Sequence, residues 1–225
     1  AIVELVNFLK SRPDVGIAGS SFVNLDGSLW PIAFRFPTLL SELESGIQLS
    51  LVSKILRRWI VAVPMEQKQQ PIDWVAGASM MLRRSVVEKL RGFDESYFLY
   101  YEETDLCLRA KRAGFATWYV PTSHVMHIAG QSTKVTERDA KPKRLPSYWF
   151  ESRSRYFVRN HGIFYAVLAD LVALFAIALG KLKRVLTGKQ NEGVPNLLTD
   201  IARHCPILHA NRKSKPYSSV LPPVN

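Results

Sequence analysis

Cysteine is scarce in this 225-residue sequence, which contains only Cys107 and Cys205. Two cysteines cannot form the disulfide framework of a small secreted domain, and they suit a reducing compartment. Neither cysteine has a cysteine or histidine partner at the spacing that structural zinc sites use. The sequence therefore excludes disulfide-rich proteins and zinc-finger proteins.

Signatures of nucleic-acid binding are also missing, despite a formal net charge of +11. The sequence has no helix-turn-helix, zinc-finger or RNA-binding motif, and it has no internal repeat. Its aromatic residues cluster with acids, whereas its basic residues lie beside an aliphatic segment, which is not the pattern of a nucleic-acid interface. We therefore expect no nucleic-acid partner.

The positive charge is concentrated in the C-terminal part of the chain. Residues 1–133 have a net charge of +1, and residues 134–225 have a net charge of +10. The second part also contains the most apolar stretch, Ile163–Leu179, in which Asp170 is the one acid. Basic residues flank this stretch on both sides: Arg153, Arg155 and Arg159 before it, and Lys181, Lys183 and Arg184 after it.

Cationic flanks around an apolar helix favour attachment to an anionic membrane leaflet through residues 163–186. Three placements stay open: a helix that lies in the membrane interface, a helix packed against the rest of the protein, and a membrane span. The acid at the midpoint disfavours the span. We expect a peripheral or monotopic protein on the cytoplasmic face of a membrane.

Apolar periodicity and turn residues predict an α/β protein. The predicted helices are 1–11, 38–60, one that begins near Ser85 in a capping box with Glu88, 103–113, 148–160 and 162–186. The predicted strands are Val15–Val23, Asp73–Arg83, Thr117–Val120 and His124–Ile128, with a hairpin turn at Asp26–Gly27. Residues 134–147 are polar and predict a loop, and the end from about Lys213 is predicted to be disordered.

A cluster of acids, Glu102, Glu103 and Asp105, follows the aromatic run Tyr97–Tyr101. Carboxylates beside large apolar rings are candidates for general acid–base chemistry, because such surroundings shift their pKa values. The alternative is a helix N-terminus that is rich in acids because the helix dipole favours them. A histidine pair, His124 and His127, follows about twenty residues later and offers neutral nitrogen ligands for a metal.

These motifs occur in one order over sixty residues: Asp73-Trp74-Val-Ala-Gly77-Ala78, then Gly92-Phe-Asp-Glu95, then the acids with Asp105-Leu-Cys-Leu-Arg109, then the late histidine with Gly130-Gln-Ser132. The segment resembles the second half of the catalytic domain of family 2 glycosyltransferases, which have a GT-A fold. It is most similar to bacterial members that build surface polysaccharides, including rhamnosyltransferase-like enzymes. The resemblance implies a C-terminal portion of a GT-A, Rossmann-like domain, followed by a helical, basic extension.

The family holds the sugar-nucleotide diphosphate through a metal bound by an Asp-x-Asp motif, and residues 1–225 contain no such motif. The chain also has no initial methionine and no signal peptide. We therefore expect a fragment that is inactive alone, with most ligands of a divalent cation (Mg or Mn) upstream. The expected division is an acceptor-side half over 1–133, a loop over 134–147 and a membrane-associated extension over 148–225.

The resemblance also implies roles for individual residues. Glu103 matches the catalytic base, a position where Asp is commoner in the family. Asp105 and Glu102 are the other catalytic candidates, and His127 matches the metal-binding histidine. The candidates for substrate binding are Asp73, Trp74, Gly77, Ala78, Arg153 and Arg155, with the two arginines as possible partners of a diphosphate.

Each of these roles has a structural alternative. Gly77 and Ala78 could instead permit tight packing of a buried strand, and Arg153 and Arg155 could belong to a solvated basic helix. His127, as a lone histidine, could be structural.

The function expected is inverting, metal-dependent transfer of a sugar from a nucleotide-sugar donor to a saccharide or lipid-linked acceptor, in cell-surface polysaccharide synthesis. The rival hypothesis is a truncated, non-catalytic, membrane-associated interaction module.

Overall fold

The computed structural model describes residues 1–23, 28–126, 142–188 and 193–209. Its elements in chain order are α1 (Ile2–Ser11), β1 (Val15–Val23), β2 (Leu29–Trp30), β3 (Ala33–Phe34), α2 (Leu39–Ile47), α3 (Ser50–Ile55), β4 (Gln70–Ile72), β5 (Trp74–Val75), β6 (Met80–Leu82), α4 (Arg84–Leu90), α5 (Glu102–Arg112), β7 (Ala116–Met126), α6 (Ser147–His161), α7 (Ile163–Leu186), α8 (Leu197–Arg203) and α9 (Pro206–His209).

The chain forms two compact units. The sheet unit comprises Ala1–Phe36, Ile60–Asp94 and Glu103–Ser132. The helical unit comprises Pro37–Trp59, Glu95–Glu102 and Thr133–Asn225. The α/β fold class and the helical C-terminal part agree with the prediction. The predicted division at residues 133 and 147 stays a prediction.

Strand β1 is the centre of the sheet unit. It pairs in parallel with β7 and antiparallel with β6 and β2, and β4 pairs with the far side of β7. Its first eight residues are buried, as expected for a central strand covered on both faces. A Cβ atom added to Gly19 would lie 2.1 Å from Val75 Cγ2, so this strand needs glycine where β5 crosses it.

Helix α1 covers the sheet through Leu5, Phe8 and Leu9, which pack with Val15 and Val120. These residues recur at helical spacing, so burial of one apolar face accounts for the helix. The predictions of a helix over 1–11 and of a strand over Val15–Val23 are confirmed. The β1–β2 pairing fits the predicted hairpin, although its turn at Asp26–Gly27 lies outside the described residues.

The predicted strand Asp73–Arg83 is wrong. The structure has β5 and β6 in different sheets, separated by a turn of 3-10 helix at Gly77–Ser79. Trp74 pairs with Phe34 in a small two-stranded sheet, whereas β6 pairs with β1. Because the two strands pair in different sheets, the chain has to turn between them, and it does so at Gly77–Ser79.

The two strands predicted at Thr117–Val120 and His124–Ile128 are one strand, β7. Its pairing with β1 passes from Ser20–Val120 to Ser21–His124, so the residues between form a bulge. The Ser123 hydroxyl lies 2.8 Å from that of Ser20 and fills this irregularity with a buried hydrogen bond.

Helix boundaries also differ from the prediction. The predicted helix over 38–60 is two helices, because Gln48 adopts a left-handed conformation (φ 52°) that ends α2. Thr38 and Ser41 form the capping box at the start of α2. The capping box predicted at Ser85 is wrong, since α4 begins one residue earlier and has no side-chain cap among the described residues. Helices α8 and α9 were not predicted.

In the helical unit, α7 packs closely against α2. The approach depends on two glycines: a Cβ atom on Gly180 would lie 2.4 Å from the Gly46 carbonyl oxygen, and one on Gly46 would lie 2.6 Å from Ala176 Cβ. Small residues at such a crossing allow two helix backbones to come together. Phe150, Ala173 and Ile201 bring α6, α7 and α8 into one apolar cluster.

Replacement of Gly180 by alanine should destabilise the helical unit. The added methyl group would force the α2–α7 crossing apart, at a cost of about 1–3 kcal/mol that exceeds the helix propensity gained, about 1 kcal/mol. Ala178→Ser, which also adds one heavy atom but at an exposed position of α7, is the matched control. Urea denaturation measures both variants, and an unchanged midpoint for Gly180→Ala would contradict the described crossing.

Candidate active site

Glu102 and Glu103 are the first two residues of α5, and both are half-buried. The residues before them, Tyr100 and Tyr101, have φ values of 67° and 66°. Such angles are uncommon for side chains of this size and are retained where surrounding contacts hold them. The left-handed pair turns the chain into the helix, and the dipole of α5 favours the carboxylates at its start.

The turn at Gly77–Ser79 lies beside Glu103. The amide nitrogen of Gly77 is 3.4 Å from Glu103 Oε1, which is a long hydrogen bond. Gly77 and Ala78 are exposed, so the alternative in which they pack inside a buried strand is wrong. The structure therefore brings an open backbone surface next to the candidate base.

Asp105 has a different environment, since its side chain is fully buried. It accepts a hydrogen bond of 2.6 Å from Arg109 Nε, one helical turn further on. The same guanidinium donates to the carbonyl oxygens of Leu90 and Gly92, each at 3.0 Å. This arrangement favours a role in anchoring α5 to the end of α4 over contact with a substrate.

Asp73 and Trp74 lie away from Glu103. Asp73 accepts from Lys111 Nζ at 2.8 Å and from the Phe36 amide at 3.0 Å. Lys111 follows Glu103 by two helical turns, which corresponds to roughly 12 Å along α5. The structure thus places Glu103 and Gly77 at one end of the helix and the Asp73 carboxylate at the other.

Trp74 is fixed by contacts within the sheet unit. Its ring stacks on Phe34 at 4.2 Å between centroids, and its indole N–H donates to the Arg35 carbonyl oxygen at 3.0 Å. The neighbouring residue Asp73 lines a cleft of about 580 Å³, and Trp74 is not part of its lining. The polar side chains that line this cleft are those of Arg35, Gln70, Asp73, Lys111 and Thr117.

Arg153 is buried in the helical unit, where α6 meets α2 and α7. It donates to Glu42 Oε2 at 2.9 Å and to Asp170. Burial acts to lower the pKa of Arg153, but the charges of Glu42, Tyr101 and Asp170 outweigh it and the pKa is raised. The guanidinium is thus committed to two carboxylates, a geometry that favours a structural role over diphosphate binding. Arg155 is half-buried, 6.0 Å above the Tyr97 ring.

Helix α6 also holds the aromatic segment that leads into the acids. The buried Ser152 hydroxyl donates to the Leu99 carbonyl oxygen at 2.9 Å. The Tyr101 ring packs against Trp149 and Tyr156, with centroids 5.8 and 5.5 Å away. Burial raises the pKa of Tyr101, which keeps its hydroxyl neutral. These contacts hold the left-handed residues that precede Glu102.

Sequence reasoning missed Arg109, Ser152 and the partners of Arg153. The four-residue spacing of Asp105 and Arg109 was a usable signal, because such pairs face each other on a helix. Ser152 donates to Leu99, which is 53 positions away, and Arg153 donates to Glu42, which is 111 positions away. No local pattern in the sequence reveals such contacts.

The candidate metal ligand His127 lies outside the described residues. His124 is exposed near the end of β7. Within the described part of the chain, no group of three or more His, Cys, Asp or Glu side chains could hold a metal ion. These residues do not by themselves fit a metal, and we assign no chemical step to one.

Cys107 lies on the buried face of α5 and is not a nucleophile. Burial raises the pKa of its thiol to about 12, against hydrogen bonds with Val75 and Thr117 that act to lower it. The thiol therefore stays protonated and inert at neutral pH.

A mixed sheet, a helix that begins with half-buried acids and an exposed glycine turn beside them define an α/β protein with a candidate acid–base site. Comparison with known proteins identifies the family. The sequence profile of "Glycosyltransferase like family 2" matches residues 1–141, and the chain belongs to this family. No solved structure matches the chain significantly.

Curated relatives match parts of the chain. An N-acetylglucosaminyl-diphospho-decaprenol L-rhamnosyltransferase of Mycobacterium tuberculosis is 34% identical over 137 residues, which cover 59% of this chain and 44% of that protein. Rhamnosyltransferase WbbL of Escherichia coli is 47% identical over 58 residues, 26% of this chain and 22% of the relative. A low-salt glycan biosynthesis hexosyltransferase, Agl10 of Haloferax volcanii, is 43% identical over 47 residues, 21% and 15% of the two chains. The chain spans less than half the length of these relatives.

Asp105→Asn should lower the free energy of unfolding by about 3 kcal/mol, because it leaves Arg109 without the charge of its buried partner. Glu88→Gln removes the acid of another i,i+4 pair with arginine, Arg84–Glu88, in which both side chains are exposed. This control should change stability little. Chemical denaturation of the two variants compares them, and equal small losses would show that Asp105 does not anchor α5.

Proposed function

We propose that the protein of which this chain is part transfers a sugar from a nucleotide-sugar donor to a saccharide or lipid-linked acceptor. The observation that carries the proposal is the position of Glu103. This carboxylate stands at the start of α5 beside the exposed turn at Gly77 and Ala78, inside the region that matches the family. Its surroundings leave room for a substrate on a surface of backbone and small side chains.

In the proposed reaction, the Glu103 carboxylate accepts the proton of the acceptor hydroxyl as that oxygen attacks the anomeric carbon. A new glycosidic bond forms, and the bond from the anomeric carbon to the phosphate oxygen breaks. The nucleoside diphosphate leaves with the electron pair of that bond. Attack opposite the leaving group inverts the anomeric configuration.

Neighbouring residues have supporting roles in this proposal. Glu102 is the second acid at the helix start. Asp105 anchors the helix through Arg109, and Gly77 and Ala78 contact the sugar through the backbone. Asp73 lines the cleft at the far end of α5, and Trp74 holds the backbone of Arg35 through its indole N–H. Arg153 and Arg155 maintain the helical unit.

The names of the relatives support a class of acceptor. Two of them are rhamnosyltransferases, and the name of one specifies a diphospho-decaprenol-linked acceptor. We therefore propose a lipid-linked acceptor and a role in cell-surface polysaccharide synthesis. A divalent cation, Mg or Mn, is part of the proposal, with His127 as one of its ligands, and no step above depends on it.

Membrane attachment through α7 is the other part of the proposal. Helix α7 buries small residues and exposes large apolar ones, the reverse of an ordinary core helix. The buried residues are Ala166, Ala169, Asp170, Ala173, Ala176 and Gly180. The exposed apolar residues include Phe164, Leu168, Leu171, Phe175, Leu182, Val185 and Leu186. This face suits the boundary between lipid headgroups and acyl chains.

By length and composition alone, α7 could also cross a membrane. Asp170 lies on the buried side and pairs with Arg153, so its charge is neutralised by a protein side chain. We propose an interfacial helix at the cytoplasmic face, since basic residues follow at its C-terminal end.

Glu103→Gln in the whole protein should remove most sugar transfer and leave donor binding unchanged, because the amide cannot accept the proton of the acceptor. A loss of about 100-fold or more in kcat is expected for a general base. Glu4→Gln, at an exposed position of α1, is the matched control. Radiolabelled sugar transfer and equilibrium binding of the nucleotide sugar measure the two properties.

Transfer that continues at the normal rate in Glu103→Gln would exclude Glu103 as the base. Absence of transfer in the unmodified whole protein, with membrane binding retained, would favour the non-catalytic interaction module instead.

A further inference from the structure

The segment 49–59, far from α7 in sequence, exposes large apolar side chains in the helical unit. Leu51 and Ile55 of α3 are 69% and 66% exposed, and Leu49 and Trp59 are each 38% exposed. The six residues of α3 bury none of their side chains fully. Solvent exposure of so many apolar groups over one short segment is typical of an interaction surface.

Contacts of Gln48 place this segment beside the C-terminal turns of α7. Lys183 Nζ donates to the Gln48 carbonyl oxygen at 2.7 Å, and Arg184 contacts the Gln48 side chain. Gln48 lies two residues before α3 begins. The same turns of α7 expose Leu182, Val185 and Leu186, the last two to 77% each. The start of segment 49–59 therefore lies close to the C-terminal turns of α7.

The charged side chains within the two segments are all basic, although Glu44 of α2 accepts a hydrogen bond from Ser53 of α3. Segment 49–59 contains Lys54, Arg57 and Arg58, which are exposed, and segment 179–186 contains Lys181, Lys183 and Arg184. Neither segment contains an acid. Aliphatic side chains surrounded by cations match a bilayer surface, where anionic headgroups lie above acyl chains. Trp59 adds a residue that is enriched at membrane interfaces.

We propose that segments 49–59 and 179–186 form one docking surface for an anionic lipid bilayer, with α3 as a second insertion element beside α7. This surface deepens the membrane attachment proposed above, and it does not depend on sugar transfer. Two elements that insert at separate points restrict the orientation of the helical unit on the membrane more than one helix does.

Co-sedimentation of the full chain with vesicles tests the surface. The vesicles contain phosphatidylcholine alone or phosphatidylcholine mixed with phosphatidylglycerol. The unmodified chain should bind the mixed vesicles more tightly. Leu51→Ser with Ile55→Ser should weaken this binding, because the apolar side chains no longer enter the bilayer. Ile2→Ser with Val3→Ser, whose positions are 71% and 67% exposed on α1, is the control and should bind normally.

A second pair of variants measures how much the basic residues contribute to vesicle binding. Replacement of Lys54, Arg57 and Arg58 by glutamine should weaken binding to the mixed vesicles by roughly 100-fold, at about 1 kcal/mol for each basic residue near the surface. The control replaces Arg84, Lys89 and Arg91 of the sheet unit by glutamine, with the same change in net charge. Circular dichroism checks that every variant is folded.

Normal binding by both the apolar variant and the charge variant of segment 49–59 would overturn the proposal. A third variant, Leu171→Ser with Phe175→Ser, tests α7 separately. If this third variant binds less tightly while the other two bind normally, the proposal of attachment through α7 stands and that of the docking surface fails. Equal losses in the two charge variants would show that net charge alone drives binding, and this result would also overturn the docking surface. Equal binding to both kinds of vesicle would do the same.

Discussion

The position of α5 is the constraint on which the candidate site depends, and one buried ion pair secures it. Asp105 and Arg109 face each other across one turn of the helix, and Arg109 also donates to the carbonyl oxygens of Leu90 and Gly92. Those carbonyls lie at the end of α4 and would otherwise lack helical partners. One guanidinium thus joins two helices and fixes the direction in which α5 presents its first residues. Asp105 is committed to this ion pair, and Glu103 is the acid that lies beside the exposed turn at Gly77.

In the helical unit, the size of a side chain determines whether it is buried as much as its polarity does. Small residues of α7 face α2 and allow the crossing at Gly46 and Gly180, and the Arg153 ion pairs with Glu42 and Asp170 lie among them. Removal of either carboxylate would leave a buried charge without part of its compensation, which is costly. Large apolar residues are left on the outside of α7. A surface of this kind gains stability from lipid or from a partner, and the basic residues around it favour anionic lipid.

The sequence was informative where a pattern is local and repeats. Helix α1, strand β1 and helices α6 and α7 were predicted with boundaries close to those observed, because apolar spacing and composition determine them. The family was identified from the order of its motifs. Prediction failed between Asp73 and Arg83, where pairing partners distant in sequence decide which sheet each short strand joins. Prediction also failed at Gln48, because a left-handed conformation is expected from sequence mainly at glycine, and this residue is a glutamine.

In the candidate site too, residues that belong to a local pattern were predictable, whereas contacts between distant residues were not. Acid-rich helix starts are visible in sequence, so Glu102 and Glu103 could be found. The family resemblance placed Glu103 before Asp105 as the base, but the sequence could not show the physical difference between them, which is burial. It could not show that Asp73 lies at the opposite end of α5, or that Arg153 is buried between two carboxylates, because those contacts join residues far apart in the chain.

A crystal structure of the whole protein with nucleotide-sugar donor and acceptor bound would test the central claim most directly. The account predicts a carboxylate oxygen of Glu103 within hydrogen-bond distance, about 2.6–3.2 Å, of the acceptor hydroxyl that attacks the anomeric carbon. It also predicts the sugar against the backbone of Gly77 and Ala78. An acceptor hydroxyl held by another carboxylate, with Glu103 outside hydrogen-bond reach of it, would contradict the account.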